Sequence, residues 1–386
     1  MISRIELHNF KAFRHLDLRL APLTMLSGVN AVGKSTIIQA LALLRQSYDA
    51  GLLNDDGGFL LNGDLVELGV GQDVLHEDYG DERGRGPRSI PIAINLSIDG
   101  RKTGWEVEYQ PGRDREADLL RGFDGLFPLM AVPRDMQVSG LFGEGFQLLK
   151  ADRIVPAVHY PKSYEAAVRR GSLGSRGEHT VNFLRTHADD PVPSISARHP
   201  RAKSPGLLDQ TEAWLQEICP GVNLAAEDLR GTDLVQLSYG FGGTAGLHSS
   251  NIRYRPTNVG FGLTYSLPIV VACLAARTGA LVLLENPEAH LHPRGQTMMG
   301  RLACLAVAAG AQIIIESHSD HVLNGVRLAV KEAVLTPEQV AMHYFDRGDD
   351  NKIIFTSPEV NHDGMLSQWP AGFFDEWDRA IDQLLD

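Results

Sequence analysis

The chain has 386 residues, 43% hydrophobic and 22% charged, an ordinary composition for a water-soluble globular protein. Its formal net charge of −12 argues against a protein that coats nucleic acid without sequence preference. No run of about 18 apolar residues occurs and the N-terminus lacks the apolar core of a secretory signal, so we expect a cytoplasmic protein that does not cross a membrane. Three cysteines in apolar surroundings, Cys219, Cys273 and Cys304, predict free thiols in a reducing compartment.

The first quarter of the chain predicts strands around a glycine-rich loop. Residues 2–7 and 16–20 alternate apolar with charged side chains, as half-buried antiparallel strands do, and residues 23–26 form a short buried strand. Residues 36–47 then place apolar side chains at helical spacing. Residues 50–90 are rich in glycine and aspartate and indicate loops, while residues 90–96 and 104–109 predict two further antiparallel strands.

The middle of the chain, from about residue 150 to 250, shows little periodicity. One segment, Leu207 to Ile218, is typical of a helix. Residues 185–206 combine several prolines with basic residues, and we expect a mobile loop there.

Strands and helices alternate from about residue 251 onward. The pattern predicts strands over 251–255, 280–284, 312–315, 340–345 and 352–356, and helices over 263–277, 294–309 and 319–330. Apolar strands that alternate with helices indicate an α/β fold with a mainly parallel core sheet.

A Walker A loop, of the form G-x-x-x-x-G-K-S, runs from Gly28 to Ser35 between a buried strand and a helix. In this pattern, backbone N–H groups at a helix N-terminus converge on phosphates, Lys34 contacts the β- and γ-phosphates, and the Ser35 hydroxyl ligates Mg²⁺. A glycine turn that merely caps a helix is the alternative. The residues predicted to bind ATP and Mg²⁺ here are Gly28, Asn30, Ala31, Gly33, Lys34, Ser35 and Thr36.

Two polar residues directly follow buried strands. Glu285 ends the apolar strand 280–284, where a carboxylate can coordinate Mg²⁺ beside a Walker A loop, although it could simply cap the next turn. His318 lies 33 residues later, just past the strand 312–315, and we predict that it senses the γ-phosphate rather than being structural. A zinc or manganese hydrolase built from Glu288 and the histidines of 290–321 is a further alternative, which the ATPase motifs make unnecessary.

The order of these motifs resembles the ABC-type ATPases of the SMC, RecF and OLD (overcoming-lysogenization-defect) group. The motifs are the Walker A loop, Asn258 to Gly262, the segment ENPEAHLHP over 285–293, SHSDH over 317–321, and the C-terminal segment 369–376. The likeness covers residues 1–50 and 250–386 well and the middle loosely. It implies an ABC-type head with a P-loop half and antiparallel β-subdomain over 1–110, an inserted, partly helical lobe over 111–250, and a half with signature, Walker B and switch histidine over 251–386.

The resemblance also implies roles for single residues. Asn258, Gly260 and Gly262 stand at the ABC signature, which binds the γ-phosphate of a nucleotide held by a partner subunit, although the LSGGQ form is absent. A tight strand-to-helix turn would equally explain the glycines. Residues 290–293 stand at the D-loop of the dimer interface, and Gln72 is the candidate Q-loop glutamine and metal ligand.

One position departs from the family pattern. ABC ATPases usually follow the Walker B carboxylate with a glutamate that orients the attacking water, whereas here Asn286 follows Glu285. Asparagine can hold a water molecule but cannot accept its proton. Hydrolysis could continue with Glu288 as the polarising group, since phosphoryl transfer depends chiefly on positioning and electrostatics. Alternatively, Glu288 only starts a turn, and hydrolysis is slow or needs a partner.

The function implied by the resemblance is an ATPase that forms a homodimer around two shared ATP·Mg²⁺ and switches an effector protein. A role in anti-phage defence follows from family likeness alone. Only 68 residues follow His318, too few for the nuclease domain of OLD proteins. The alternatives are a RecF-type DNA-repair ATPase, a transporter's ATP-binding subunit and a non-hydrolysing ATP-binding scaffold.

Charge distribution bears on these alternatives. Residues 151–210 carry a net charge of +3, which permits contact with DNA, while the overall charge does not favour it. Residues 346–386 carry −7, which argues with the absent LSGGQ form against the transporter subunit. A solvated surface explains both segments equally well.

Overall fold

Strands and helices alternate along most of the described chain, which in a computed structural model comprises residues 1–53, 58–78, 89–122, 132–133, 140–242, 252–349, 351–370, 372–373, 381 and 383–385. The strands are β1 (Ile2–Phe10), β2 (Phe13–Arg19), β3 (Leu23–Gly28), β4 (Gly58–Leu60), β5 (Ile90–Ile98), β6 (Arg101–Tyr109), β7 (Leu119–Arg121), β8 (Phe146–Leu149), β9 (Tyr160–Pro161), β10 (Val222–Asp228), β11 (Leu234–Phe241), β12 (Leu281–Glu285), β13 (Gln312–Glu316), β14 (Val340–Arg347) and β15 (Ile353–Thr356). The helices are α1 (Lys34–Asp49), α2 (Gly71–Val74), α3 (Thr180–Thr186), α4 (Leu207–Ile218), α5 (Phe261–Ala275), α6 (Pro293–Ala308) and α7 (Asp320–Lys331).

The chain divides into two compact units, each with its own core. Unit 1 comprises residues 1–143 and 341–358, and unit 2 comprises residues 144–340 and 359–386. The three segments expected from the sequence, 1–110, 111–250 and 251–386, have different limits, and their standing as domains remains a prediction.

Unit 1 contains an antiparallel sheet in the order β2-β1-β5-β6 and a separate pair, β4 with β7. Strand β3 lies beside β14, which pairs antiparallel with β15. All six residues of β3 are buried, and so are most residues of α1, including Ile37, Leu41 and Leu44. Each such side chain contributes about 2 kcal/mol of hydrophobic free energy. This burial holds α1, which begins at Lys34 within the Walker A motif, against the core of unit 1.

Unit 2 contains a parallel sheet in the order β13-β12-β8 and an antiparallel sheet in the order β10-β11-β9. The first four residues of β12 and all of β13 are buried, as expected for strands in the middle of a covered sheet. In a parallel sheet the carboxyl ends lie at one edge, so Glu285, Glu316 and the residues after Leu149 are neighbours. The predicted α/β class, with parallel strands and an antiparallel β-subdomain, is confirmed.

The middle of the chain is more regular than its sequence indicated. Helix α4 has the predicted limits, but α3 and the hairpin of β10 and β11 lie where irregular structure was expected. The predicted mobile loop, 185–206, is anchored. The indole nitrogen of Trp214 donates to the Ala197 carbonyl at 2.9 Å, and the Gln210 side chain accepts from the His199 backbone. The loop lacks apolar periodicity, and hydrogen bonds to side chains of α4 hold it in place instead.

The predicted strand over residues 251–255 is wrong. Residue 251 lies outside the described residues, and Tyr254 alone pairs with Tyr239 of β11 before a short 3₁₀ turn, Pro256–Asn258. Pro256 lacks the N–H that would extend the pairing. Part of the C-terminal motif, residues 371 and 374–376, also lies outside the described residues. In the described chain, none of the helices is long and apolar enough to cross a membrane.

Candidate functional site

The Walker A loop in unit 1 depends on two of its glycines. Gly28 has a φ of 137°, and a Cβ there would collide with the Phe345 carbonyl of β14. Gly33 has a φ of 82°, and its Cβ would lie 2.7 Å from both the Cβ of Ala12 and the ring of Phe13. Both positions therefore require glycine for conformation and for close packing. The Val29 N–H donates to the Phe345 carbonyl at 3.2 Å, which ties the loop to β14.

Lys34 and the first turn of α1 make the loop a site for anions. The Lys34 side chain is buried, and its ammonium donates to the carbonyls of Gly28, at 3.0 Å, and Val29. Gly33 is the N-cap and supplies no side-chain cap to the sixteen-residue helix. The positive end of the helix dipole thus faces the loop, together with the ammonium of Lys34. Ser35 and Thr36 follow in that first turn.

Arg347, at the end of β14, binds the backbone of the Walker A loop on its exposed side. This residue was not foreseen from the sequence. Its guanidinium donates to the carbonyl of Ala31 at 3.1 Å and, through the other arm, to the backbone carbonyl of Asn351, also at 3.1 Å. Ala31 has a φ of 61°, which is costly for a residue with a side chain. Because a peptide unit is planar, holding the Ala31 carbonyl also fixes the direction of the next N–H group, that of Val32.

Lys11 is a second cation near the loop that the sequence analysis did not single out. It sits in the turn between β1 and β2 with a φ of 48°, next to Ala12 and Phe13, which pack against Gly33. Burial lowers the pKa of its ammonium, and the charge of Asp73 partly opposes this. Its backbone N–H donates to the Val74 carbonyl at 2.8 Å.

Gln72, the candidate Q-loop glutamine, lies in the short helix α2. Its side chain is exposed, and its amide oxygen accepts a hydrogen bond from the guanidinium of Arg115 at 2.7 Å. Metal ligation would require this bond to break, because the same oxygen would have to face the cation. Its role as a ligand remains a prediction.

Glu285 and Asn286 form a tightly held turn at the carboxyl end of β12 in unit 2. The Glu285 carboxylate accepts from the Ala151 N–H at 2.9 Å, and burial raises the pKa of this carboxyl. Asn286 has a φ of 46°, and its N–H donates to the Glu316 carbonyl at 2.8 Å. Its buried amide oxygen has no hydrogen-bond partner among the described residues.

Glu288 connects this turn to the segment that carries His318. One carboxylate oxygen accepts from the Ser317 hydroxyl and the other from the His318 backbone N–H, both at 2.8 Å. The His318 side chain is exposed just before α7, whose N-terminus is capped by Ser319. Glu288 therefore does more than begin a turn, because its charge fixes the backbone of the predicted γ-phosphate sensor.

The segment 258–262 leads into α5. Asn258 ends the 3₁₀ turn, Gly260 is the N-cap of α5, and Gly262 is its second residue. A Cβ on Gly262 would lie 2.5 Å from the His290 carbonyl, so the start of α5 touches the segment expected to be the D-loop. Gly260 differs, since its φ is −53° and a Cβ there would meet no described atom within 4 Å. The ring centres of Phe261 and His290 lie 4.6 Å apart, with the two ring planes tilted by 53°.

Models of three protein families match separate parts of the chain. Residues 1–86 match a family described as "AAA ATPase domain", and residues 221–324 match one described as "AAA domain, putative AbiEii toxin, Type IV TA system". The first region contains the Walker A loop, and the second contains the 258–262 segment, Glu285 and His318. Residues 335–384 match a "Protein of unknown function (DUF3696)".

Two separate parts of the chain, one of which carries the Walker A loop, are thus similar to AAA-type ATPase domains.

Three solved structures similar to this chain are heads of SMC proteins. One, the SMC head bound to the C-terminal winged-helix domain of ScpA, has a TM-score of 0.49 at 14% identity, covering 92% of this chain and 97% of that one. The SMC head domain from Thermotoga maritima has a TM-score of 0.44 at 12% identity, covering 93% and 99%. A Pyrococcus furiosus SMC head bound to the C-terminal domain of ScpA has a TM-score of 0.49 at 12% identity, covering 100% and 99%.

Arg153 is another residue beside the predicted site that was not foreseen from the sequence. It is buried four residues after β8 and donates to the carbonyls of Glu285 and Asn286. The only signal was the mostly apolar segment 146–149 followed by charged residues, a weaker form of the pattern that identified Glu285. The arginine itself could not be foreseen, because its acceptors are backbone carbonyls.

Proposed function

We propose that this ATPase hydrolyses ATP·Mg²⁺ in a head-to-head homodimer, and that its nucleotide state switches a protein partner. Gly260 carries the proposal of a dimer. Neither its φ nor any described neighbour requires glycine, and the residue opens a fifteen-residue helix whose first side chain, Phe261, is exposed. Glycine is common at helix N-caps, and here it also leaves open space for a group that approaches from outside. The γ-phosphate of a nucleotide on a second copy would gain from this helix N-terminus.

Mg²⁺ would be held by the Ser35 hydroxyl and by Glu285. The raised pKa of Glu285 reflects the cost of burying a carboxylate, and a divalent cation would stabilise the charged form. Bound Mg²⁺ would neutralise charge on the phosphates during transfer. Lys34 would bind the β- and γ-phosphates, His318 would sense the γ-phosphate, and Glu288 would polarise the attacking water with Asn286 holding it.

An ATP-binding scaffold with little hydrolysis is the second candidate function. The observation that favours it is Asn286, which occupies the position after Glu285 and cannot accept a proton. Its buried amide oxygen has no described partner, so it is suited to accept a hydrogen bond from water without activating it. The two candidates differ in turnover and agree on ATP binding.

ATP binding and phosphate release by the purified protein separate these two functions. Hydrolysis predicts phosphate release well above that of Lys34→Ala, whose ATP affinity should fall on the order of a hundredfold with loss of the phosphate-binding cation. Tight ATP binding with release no greater than in Lys34→Ala would support the scaffold. Glu288→Gln should lower turnover on the order of tenfold or more, because a neutral amide cannot accept from both Ser317 and His318. Unchanged turnover would remove Glu288 from the mechanism.

The dimer is tested by light scattering of Glu288→Gln protein with and without ATP·Mg²⁺. We expect the mass to rise from the 42.2 kDa of one chain to twice that value. Gly260→Asp should prevent this change, since it adds bulk and negative charge at the proposed phosphate contact. The matched control is Gly112→Asp, another glycine with open space around its Cβ position. A monomer under every nucleotide condition would contradict the proposed head-to-head dimer.

The partner is proposed to be an effector protein in anti-phage defence. This step rests on the family resemblance and on the match of residues 221–324 to a family whose description includes a toxin–antitoxin system. Phage plaque counts on cells that carry the gene and its neighbours test it. Fewer plaques with the wild type than with Lys34→Ala are expected, and equal counts across a broad phage panel would argue against a defensive role.

A further inference from the structure

Arg153 is a buried cation that none of the predicted motifs includes. It follows β8, the strand beside β12 in the parallel sheet of unit 2, and its side chain is only 3% exposed. The segment that carries it, residues 150–153, contacts the Glu285 carboxylate as well, through the N–H of Ala151 at 2.9 Å. Residues 150–153 thus bind the Glu285 carboxylate through a backbone N–H, and the backbone carbonyls of Glu285 and Asn286 through the Arg153 side chain.

The guanidinium of Arg153 connects three parts of unit 2. One terminal nitrogen donates to the carbonyls of Lys150, at 2.9 Å, and Glu285, and the other donates to the Asn286 carbonyl at 2.7 Å. Nε donates to the Tyr265 carbonyl in the second turn of α5 at 3.2 Å. The guanidinium carbon also lies 4.3 Å from the centre of the Tyr265 ring, within cation–π range.

Burying the charge of Arg153 costs desolvation free energy, which hydrogen bonds to neutral groups offset only in part. Every hydrogen bond that the described chain gives Arg153 ends on a neutral carbonyl, so no carboxylate balances the buried charge at hydrogen-bond distance. Burial accordingly lowers the pKa of its guanidinium, while the charges of Glu285 and Glu288 oppose this from further away. An apolar side chain of similar size would avoid this desolvation cost but would not hold the carbonyls of the turn.

The turn that Arg153 holds has little freedom left. Asn286 adopts a left-handed conformation, which asparagine tolerates better than most non-glycine residues. Its N–H is bound by the Glu316 carbonyl, while the carbonyls on both sides of its Cα are bound by Arg153. Because peptide units are planar, these bonds fix the directions in which the side chains of Glu285 and Asn286 leave the backbone.

We infer that Arg153 is a positioning residue, which sets the Glu285–Asn286 turn and couples its geometry to helix α5. A displacement of α5 at Gly260 reaches the second turn of the helix, where the Tyr265 carbonyl and ring contact Arg153. The guanidinium transmits that displacement to the two carbonyls of the turn. The part of the inference that concerns coupling to hydrolysis rests on the proposed function.

The test compares Arg153→Met and Arg153→Lys with the wild type. Methionine keeps an unbranched side chain without charge, while lysine keeps the charge but cannot reach carbonyls on three segments at once. The matched control is Arg176→Met, which removes a guanidinium from an exposed ion pair with Asp152 in the same unit. Arg153→Lys keeps the test decisive if Arg153→Met fails to fold.

Two readouts distinguish positioning from a general loss of structure. We expect ATP affinity without Mg²⁺ to stay within about twofold of the wild type, because the Walker A loop is untouched. The Mg²⁺ concentration that half-saturates ATP binding, measured by calorimetry, should rise on the order of tenfold in Arg153→Met and less in Arg153→Lys. The kcat should fall on the order of tenfold or more without a matching change in KM.

Each outcome bears on one claim. A folded Arg153→Met protein with Mg²⁺ dependence and kcat within about twofold of the wild type would overturn the inference. Equal losses in Arg176→Met would also overturn it, because they would reflect charge removal in general. Absence of turnover in the wild type would refute the proposed hydrolysis, whereas the Mg²⁺ dependence of ATP binding would still decide on Arg153.

Discussion

The close contact between Gly262 and His290 provides a stability prediction with a built-in control. In Gly262→Ala, the new methyl carbon would lie 2.5 Å from the His290 carbonyl oxygen, whereas carbon–oxygen contacts in proteins begin near about 3.3 Å. The overlap of about 0.8 Å must be relieved by moving backbone. His290 has a φ of 62°, so its peptide units already occupy a sparsely populated conformation and have little room to adjust.

The expected loss follows from two opposing effects. Overpacking of this size costs about 1–3 kcal/mol. Replacing glycine by alanine within a helix returns up to about 1 kcal/mol, and less near the helix N-terminus. The free energy of unfolding of unit 2 should therefore fall by about 1–2 kcal/mol. Gly260→Ala should change it by no more than about 0.5 kcal/mol, because the added methyl meets no described atom within 4 Å.

Urea denaturation followed by circular dichroism and by intrinsic fluorescence measures both variants. The midpoint should shift to lower urea for Gly262→Ala, with an unchanged slope, and remain in place for Gly260→Ala. Equal stability of Gly262→Ala and the wild type would refute the steric reasoning. An equal loss in the two variants would refute it too, since it would trace the effect to glycine content and not to the His290 contact.

Two further predictions concern unit 1. His343 is buried, its ring nitrogens contact the Ser357 hydroxyl and the Arg19 carbonyl at 2.8 Å, and burial lowers its pKa from 6.5 to about 4. The contribution of His343 to the free energy of unfolding is therefore complete above pH 6.5. It is lost as the pH falls toward 4, by up to about 3 kcal/mol. The Tm should fall in this range of pH, and it should fall less in His343→Gln. Arg347→Ala should weaken ATP binding roughly fivefold through loss of the bond to the Ala31 carbonyl, while the exposed control Arg14→Ala should not.

Calorimetric titration with ATP and thermal scans between pH 4 and 8 provide these two measurements. A Tm profile of His343→Gln with the same slope as the wild type would assign the acid sensitivity to other groups. Equal ATP affinities for Arg347→Ala and the wild type would mean that the Ala31 peptide keeps its orientation without the guanidinium.

The parts of the fold that the sequence predicted are those with strong local signals. The Walker A loop lies between a buried strand and an amphipathic helix, and the glycines, Lys34 and the helix start can be read from local pattern alone. The hairpin of β10 and β11 also had a signal, since Val235, Leu237 and Tyr239 alternate with polar residues. It was missed because β10, with small and polar side chains, weakens the alternation in its partner.

The site residues that escaped prediction act through backbone atoms. Arg153 and Arg347 bind carbonyls of residues more than a hundred positions away, and a carbonyl has the same chemistry in every residue. Charged side chains in a sequence are most simply assigned to the surface, which is correct for most of them. Only the folded chain shows that Arg153 is buried and that the exposed Arg347 binds the Walker A loop.

The bond between Val29 and Phe345 has a consequence for synthesis of the protein. The Walker A loop lies about 316 positions before the strand that packs on Gly28 and Val29. At roughly 5–20 residues per second, a ribosome needs about 16–60 s to cover that distance. During this interval the nascent loop has its own sequence but not its supporting strand. Competence to bind ATP should therefore arise late in translation, so that nucleotide engages chains that have already produced β14.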